Sequence, residues 1–301
     1  MAYRCIPAAA GICCIRTAGR KTAAGSRVHR ACQFAAHDLG GKLFGLQAGD
    51  RHSIQQTLGI GVERILEQIL GLGISLPGIV DPVQKMITYS HALGVRDLPF
   101  SEIQSYFPWH CTFLNDANAG AFAEGIGSDL PSSFFYLSLS NTVGGAIFHD
   151  SNLLPGDAFR CGEAGHMTLI PDGKPCYCGK TGCVDAYCSA RLLSDLSGGR
   201  LEDFFLGLQQ NNPDYRSVWD TYLKHLAVVI NNLHILLDYD IVLGGYVGSF
   251  LTPWLDTIRH LVAERNTLED DGSFIKLCTY QTGAAAYGAA MDVMEEFLRT
   301  V

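Results

Sequence analysis

The chain has 301 residues, of which 48% are hydrophobic and 17% charged. This composition excludes a disordered polymer and provides for two α/β domains around separate cores. A formal net charge of −8, with no basic stripe interleaved with aromatics, argues against direct nucleic-acid contact by this chain.

Residues 1–37 hold six Lys or Arg and no Asp or Glu, unlike everything after them. Only Arg4 precedes the apolar run IPAAAGICCI, and no small-residue cleavage site follows it cleanly, so the stretch reads as an irregular leader, or an N-terminus rewritten relative to its relatives, more than as an export signal. QFAAHDLGGKLFG, residues 33–45, reads as strand, tight Gly-Gly turn and strand, with Asp38 starting the turn. Ile54, Leu58, Val62, Ile65, Leu66 and Ile69 recur at helical spacing and predict an amphipathic helix. LGISLPGIVDP is an apolar strand ended by Pro77-Gly78. CTFLNDANAGAFAEGIG is a strand, a polar turn, then a small-residue helix from near Ala117.

SSFFYLSLSNTVGGAIFHDSNLL reads as two strands around a Gly-Gly turn. Mostly helices follow from 189 to 236, then the strand DIVLGG and a last helix, GAAAYGAAMDVMEEFL. The most apolar stretch, HLAVVINNLHILLDYDIVLGG, contains His225, Asn231, Asn232, His234 and Asp238. Hydrocarbon would strand those polar groups, so a buried helix running into a buried strand is expected and a membrane span is not. Alternation of strands and helices predicts parallel-containing α/β sheets.

One histidine and three cysteines fall within eighteen positions, at His166, Cys176, Cys178 and Cys183. Sulfur and nitrogen ligands at this spacing suit tetrahedral zinc, and Gly179 and Gly182 let the chain wrap an ion. Four protein ligands leave no open position, so such a zinc is structural. A buried thiol cluster without metal is the plainer alternative, and it leaves His166 and the glycines unexplained. Cys161 and Cys188 break the spacing and are expected to be spectators. The other cysteines of the eleven are scattered through apolar context, which suits a reducing cytoplasm.

GEAGHMTLIPDGKPCYCGKTGCVDAY resembles the zinc-bearing motif of the ROK family, which groups bacterial sugar kinases with sugar-responsive transcriptional repressors. The likeness runs from about Asp38 to the end, through LPGIVDP, LNDANAGAFAEG, IVLGGYVG and GAAAYGAA. It implies an actin-like, hexokinase-like (ribonuclease H-like) α/β fold, with two lobes around a central cleft. The lobes are expected at 1–117, rejoined by a helix at about 286–301, and at 118–285.

By the same resemblance Gly78, Asn115, Asp116, Glu163, His166 and Asp185 contact sugar. His166 would bind zinc through one ring nitrogen and offer the other to a sugar hydroxyl. Asp185 stands where relatives have a glutamate, and His91 where many have an asparagine. Asp116 matches the catalytic base of the kinases, while its local context fits helix capping equally well.

Kinases of the family carry two glycine-rich phosphate turns. Here the first is replaced by SRVHR at 26–30, and the second by SNTVGGA, which keeps only Gly144 and Gly145. Gly244 and Gly245 survive on the adenosine side. The chain therefore reads as a sugar-binding protein of regulator type, lacking its DNA-binding domain and with little or no kinase activity. The alternative is an ATP- and Mg2+-dependent sugar kinase of glucokinase or N-acetylhexosamine kinase type, with Asp116 as general base. A small-molecule sugar as partner, a homodimer or homotetramer, and a cytoplasmic location are implied in either case.

Overall fold

The computed structural model describes residues 11–16, 37–38 and 69–300. The chain divides into two compact units, one running to Ala123 and resuming at Ala285, the other Glu124–Ala284. The first is built on a four-stranded sheet of β1 (Gly11–Arg16), β2 (His37–Asp38), β3 (Ile69–Leu76) and a later strand, Cys111–Asn115. β1 lies within the segment expected to be an irregular leader. The helix expected across residues 54–69 falls outside the described residues except for Ile69, which opens β3.

In β3 the alternation works as sheet geometry requires: Leu72, Ile74 and Leu76 are fully buried on one face with Ile87, Phe107 and Phe113. Pro77-Gly78 ends the strand, as expected. A three-stranded antiparallel sheet follows, formed by β4 (Ile79–Asp81), β5 (Met86–Ser90) and β6 (Val95–Pro99). After the short helix α1 (Phe100–Gln104), β7 (Cys111–Asn115) pairs parallel with β3. It runs directly into α2 (Asp116–Gly127) without the intervening polar turn expected from the sequence.

The second unit has a five-stranded sheet in the order β10-β9-β8, then two later strands. β8 (Phe134–Leu139) is buried at every position, as a strand covered on both faces must be. β9 (Val143–His149) and β10 (Asn152–Leu153) continue antiparallel. The turn between β8 and β9 is Ser140–Thr142, and Gly144 and Gly145 lie inside β9 opposite Ser138 and Leu137. This corrects the Gly-Gly turn read from the sequence. A Cβ at 145 would come 2.5 Å from the Gly162 carbonyl oxygen and collide with the Phe135 ring, so this glycine serves close approach, not chain reversal.

Short helices α3 (Asp185–Cys188) and α4 (Ala190–Ser194) lead to α5 (Leu201–Gln209) and α6 (Pro213–Leu237). Asn212 caps α6 by accepting from the amides of Asp214 and Tyr215, with Pro213 as the first helical residue. Asp238 ends it in the left-handed conformation (φ 54°). Trp219, Tyr222, Leu226, Ile230 and Leu233 of α6 fill the core over the sheet. β11 (Asp240–Gly244) and β12 (Ile275–Leu277) run parallel to β8, after the buried helix-to-strand passage expected from the sequence. α7 (Gly245–Gly248) and α8 (Leu255–Ala263) lie between these two strands in the chain. No described helix is long and apolar enough to cross a membrane.

Glu124 is wholly buried at the start of this unit, and its Oε1 accepts from the amides of Thr279 (2.7 Å) and Tyr280 (2.9 Å) near the unit's end. The Tyr280 hydroxyl donates back to the Gly127 carbonyl at 2.8 Å. One carboxylate thus ties entry to exit.

The last helix, α9 (Ala284–Thr300), belongs from Ala285 to the first unit. Burial pushes the Asp292 carboxyl up to about 6, with Glu296 and Glu295 adding to the rise against the pull of Thr112. Between the ordinary carboxylate value and that pH, the unfolded chain releases this proton and the folded chain keeps it. Stability from this group therefore falls as pH rises through about 4 to 6 and stays reduced above. Asp292→Asn is expected to raise stability by about 1–2 kcal/mol at neutral pH, allowing for partial solvent screening, and to do little near pH 4. Thermal melts at the two pH values check this; equal shifts at both would refute it.

Candidate functional site

In the first unit the strand-to-helix junction places Asn115 and Asp116. Asn115 Oδ1 accepts from the amides of Ala117 (2.9 Å) and Asn118 (3.0 Å), which makes it the cap of α2. Its amide nitrogen donates to the Gly78 carbonyl at 2.9 Å, tying the turn after β3 to the start of the helix. Gly78 has φ +129°, and a Cβ there would lie 2.6 Å from the Tyr89 carbonyl oxygen, so only glycine fits. Asp116 Oδ1 also accepts from the Ala117 amide. Gly78, Asn115 and Asp116 are thus adjacent, and capping is part of the work of both side chains. His91 lies just beyond β5, its Nδ1 2.7 Å from the Tyr89 hydroxyl.

In the second unit the ligand atoms of His166, Cys176, Cys178 and Cys183 all lie within 4.8 Å of one another. Cys178 Sγ and Cys183 Sγ are 3.8 Å apart. A tetrahedral ion with metal–sulfur bonds of about 2.3 Å requires sulfurs about 3.8 Å apart, so this pair fits such an ion. Cys161 and Cys188 are outside the group, as expected.

Backbone hydrogen bonds shape the loop that carries the thiols. The Cys176 amide donates to the Lys180 carbonyl (2.8 Å), that of Gly179 to Cys176 (3.0 Å), and that of Gly182 to Lys174 (2.8 Å). Gly182 adopts φ +80° with its α-carbon against the Ile170 carbonyl, where any Cβ would collide. Burial pushes the Cys176 thiol up to about 12. A bound cation inverts that preference and takes the thiolate. Burial also lowers the His166 pKa and keeps the ring neutral, the form that ligates a metal.

Glu163 precedes the 3-10 turn Ala164–His166 and His166 is its last residue, its amide donating to the Glu163 carbonyl (3.1 Å). Two glycines press this turn onto β9. A Cβ at 162 would come within 2.5 Å of the Gly145 carbonyl oxygen, and one at 165 would collide with the carbonyl of Val143. Glu163 reaches solvent, yet the protein crowded around its carboxyl raises its pKa above the ordinary value.

Asp185 is buried, and its Oδ1 accepts from the Val143 amide at 2.6 Å. Burial pushes its pKa up to about 6 against the pull of that amide and of Arg191. The carboxyl expected from the sequence as a sugar contact therefore braces the turn at Ser140–Thr142. Gly244 and Gly245 stand at the end of β11, with Gly244 against the Tyr136 ring and Gly245 (φ +77°) against Leu139. Tyr177, which sequence reasoning passed over, has its hydroxyl 3.3 Å from His166 Nε2. Its only sequence signal is an aromatic between two metal-spaced cysteines.

Gly165→Ala is expected to lower stability by about 1–3 kcal/mol through overpacking against Val143. A lower urea midpoint at unchanged slope is the predicted result, and an unaltered midpoint would show that the close approach is unnecessary.

The ROK family profile matches residues 51–296. The glucokinase of Halalkalibacterium halodurans is 27% identical over 263 residues, covering 78% of this chain and 79% of that one. The xylose repressor of Bacillus subtilis is 32% identical over 204 residues, covering 66% of this chain and 49% of the repressor. The chain thus spans about half the length of that repressor. Among solved structures, a ROK family glucokinase from Streptomyces griseus, in complex with glucose and AMPPNP, superposes with a TM-score of 0.65 at 20% identity. That match covers 82% of this chain and 88% of the glucokinase. A ROK family transcriptional regulator, a homologue of the E. coli MLC protein, gives 0.66 at 20% identity, covering 88% and 76%. These likenesses establish the actin-like, hexokinase-like α/β fold, and with the profile match over most of its length the chain belongs to the ROK family.

Proposed function

We propose that this chain binds a sugar and acts as a regulator-type sensor with little or no phosphotransfer. The observation that carries the reading is the cradle of three thiols and His166 beside Glu163, seated on β9 next to a turn that contains no glycine. Zinc is the ion we assign to His166, Cys176, Cys178 and Cys183, because a thiolate-rich set with one imidazole favours it over harder cations. Its place is structural. It fixes the His166 ring, while the carboxylate of Glu163 accepts hydrogen bonds from sugar hydroxyls. Within the first unit, we also propose Gly78, Asn115 and Asp116 as sugar contacts by the family resemblance.

Weak phosphotransfer is supported by the turn Ser140–Thr142. Backbone amides approach phosphate oxygens most closely where no side chain intervenes, and here Ser140 and Thr142 carry side chains. Gly144 and Gly145 remain, but inside β9. Asp116 favours the second reading, an ATP- and Mg2+-dependent sugar kinase. In that reaction its carboxylate would take the proton of the attacking sugar hydroxyl as the γ-phosphate bond to ADP breaks.

Elemental analysis is expected to find about one zinc per chain. Stripping it with a chelator should lower the melting temperature by about 5–10 °C, as the loss of a folding-coupled ligand does in a domain of this size. Metal-free protein with an unchanged melt would end the zinc assignment. Calorimetry with glucose, xylose, N-acetylglucosamine and N-acetylmannosamine should detect binding of at least one, and Glu163→Gln should weaken it by about tenfold or more. Turnover in an ATP-coupled assay over the same sugars above about 1 s⁻¹ would overturn the sensor reading in favour of the kinase.

A further inference from the structure

The geometry points to Tyr177 as a further member of the sugar-binding set: we propose that its phenol holds the His166 nitrogen that a sugar hydroxyl takes over on binding. The inference rests on the reading of His166 as a sugar ligand and deepens it.

Tyr177 sits between Cys176 and Cys178, at the outer edge of the metal-binding loop. Nothing in the ligand spacing calls for an aromatic there, and its side chain remains 42% exposed. Its hydroxyl reaches His166 Nε2 at 3.3 Å, and the two rings meet edge to face with centroids 5.4 Å apart. The backbone on either side is fixed by the bonds of Cys176 to Lys180 and of Gly179 to Cys176. Rotation of the tyrosine side chain therefore leaves the thiols where they are.

With Nε2 on the phenol, Nδ1 is the ring nitrogen left to the metal. A metal-bound imidazole carries its proton on the other nitrogen and presents it to an oxygen acceptor. The phenol oxygen supplies that acceptor, and a sugar hydroxyl offers the same chemistry. Exchange of one oxygen for the other makes no new hydrogen bond, so this contact gives the sugar no net gain. It also lowers the apparent affinity by the fraction of chains in which the phenol is engaged. A sugar that binds here must displace the tyrosine, and Tyr177 thereby selects for ligands with enough contacts elsewhere.

A purely supporting role for Tyr177 makes the opposite prediction. Removing an oxygen that orients a metal-bound histidine weakens metal retention by about 10- to 100-fold. Tyr177→Phe separates the two, since it keeps the ring and deletes only the hydroxyl. The measurements are zinc retention against a competing chelator, and calorimetry of wild type, Tyr177→Phe and Tyr177→Ala with the sugar of the four that wild type binds most tightly. Both variants are expected to bind that sugar about two- to tenfold more tightly with zinc retention unchanged, the size of one ordinary hydrogen bond. Unchanged or weaker binding by Tyr177→Phe would overturn the inference and leave sugar binding by the wild type standing. Loss of zinc retention would assign the phenol to positioning and also overturn it. Absence of heat with every sugar in wild type and both variants would remove the sugar-binding reading itself and this inference with it.

Discussion

The organisation of the second unit depends on what happens at the backbone of Val143. Its amide donates to the buried carboxylate of Asp185, and its carbonyl lies against Gly165, where no side chain can be tolerated. One peptide neighbourhood is therefore gripped by residues before and after the cysteine loop. The grip joins the GEAGH turn, the thiols and the Ser140–Thr142 turn into one rigid assembly. A proposed sugar ligand and a proposed phosphate neighbour are thus positioned by the same contacts.

That arrangement separates two kinds of glycine. Gly162 and Gly182 are held in left-handed conformations (φ +88° and +80°), a need that is local, and each also faces a carbonyl that a Cβ would strike. Gly165 has only the second kind of need, contact with the Val143 carbonyl, and that is visible only after β9 and the GEAGH turn have come together. Gly144 and Gly145 misled the sequence reading for this reason. A Gly-Gly pair between apolar runs has the local signature of a turn, but Gly145 is required by the Phe135 ring and the Gly162 carbonyl across from it. The reversal is made just before the pair, at Ser140–Thr142, where Ser140 and Asn141 are turn formers in their own right.

The cluster of His166, Cys176, Cys178 and Cys183 was legible because four potential metal ligands at this spacing form a pattern that few other constraints produce. The strand ending at Asn115 and the buried run of β8 were legible from composition and polarity, and so was the passage from α6 into β11. The bracing role of Asp185 was not, because nothing in its residue type or its neighbours announces the Val143 amide that its carboxylate accepts from at 2.6 Å. Asn115 held two roles in sequence and holds both in space, as cap of α2 and as tether of the Gly78 turn. Tyr177 was invisible because an aromatic beside a cysteine has no pattern of its own, and its relation to His166 is set by the fold of the loop.

The tie made by Glu124 has a consequence for the protein as a string of segments. Because its carboxylate grips the amides of Thr279 and Tyr280, the beginning and end of the second unit are brought side by side. A segment whose extremities already touch suits relocation as a cassette. Residues 124–284 would carry their own clasp and the whole cysteine loop into a circular permutant, with new ends opened at an exposed surface position.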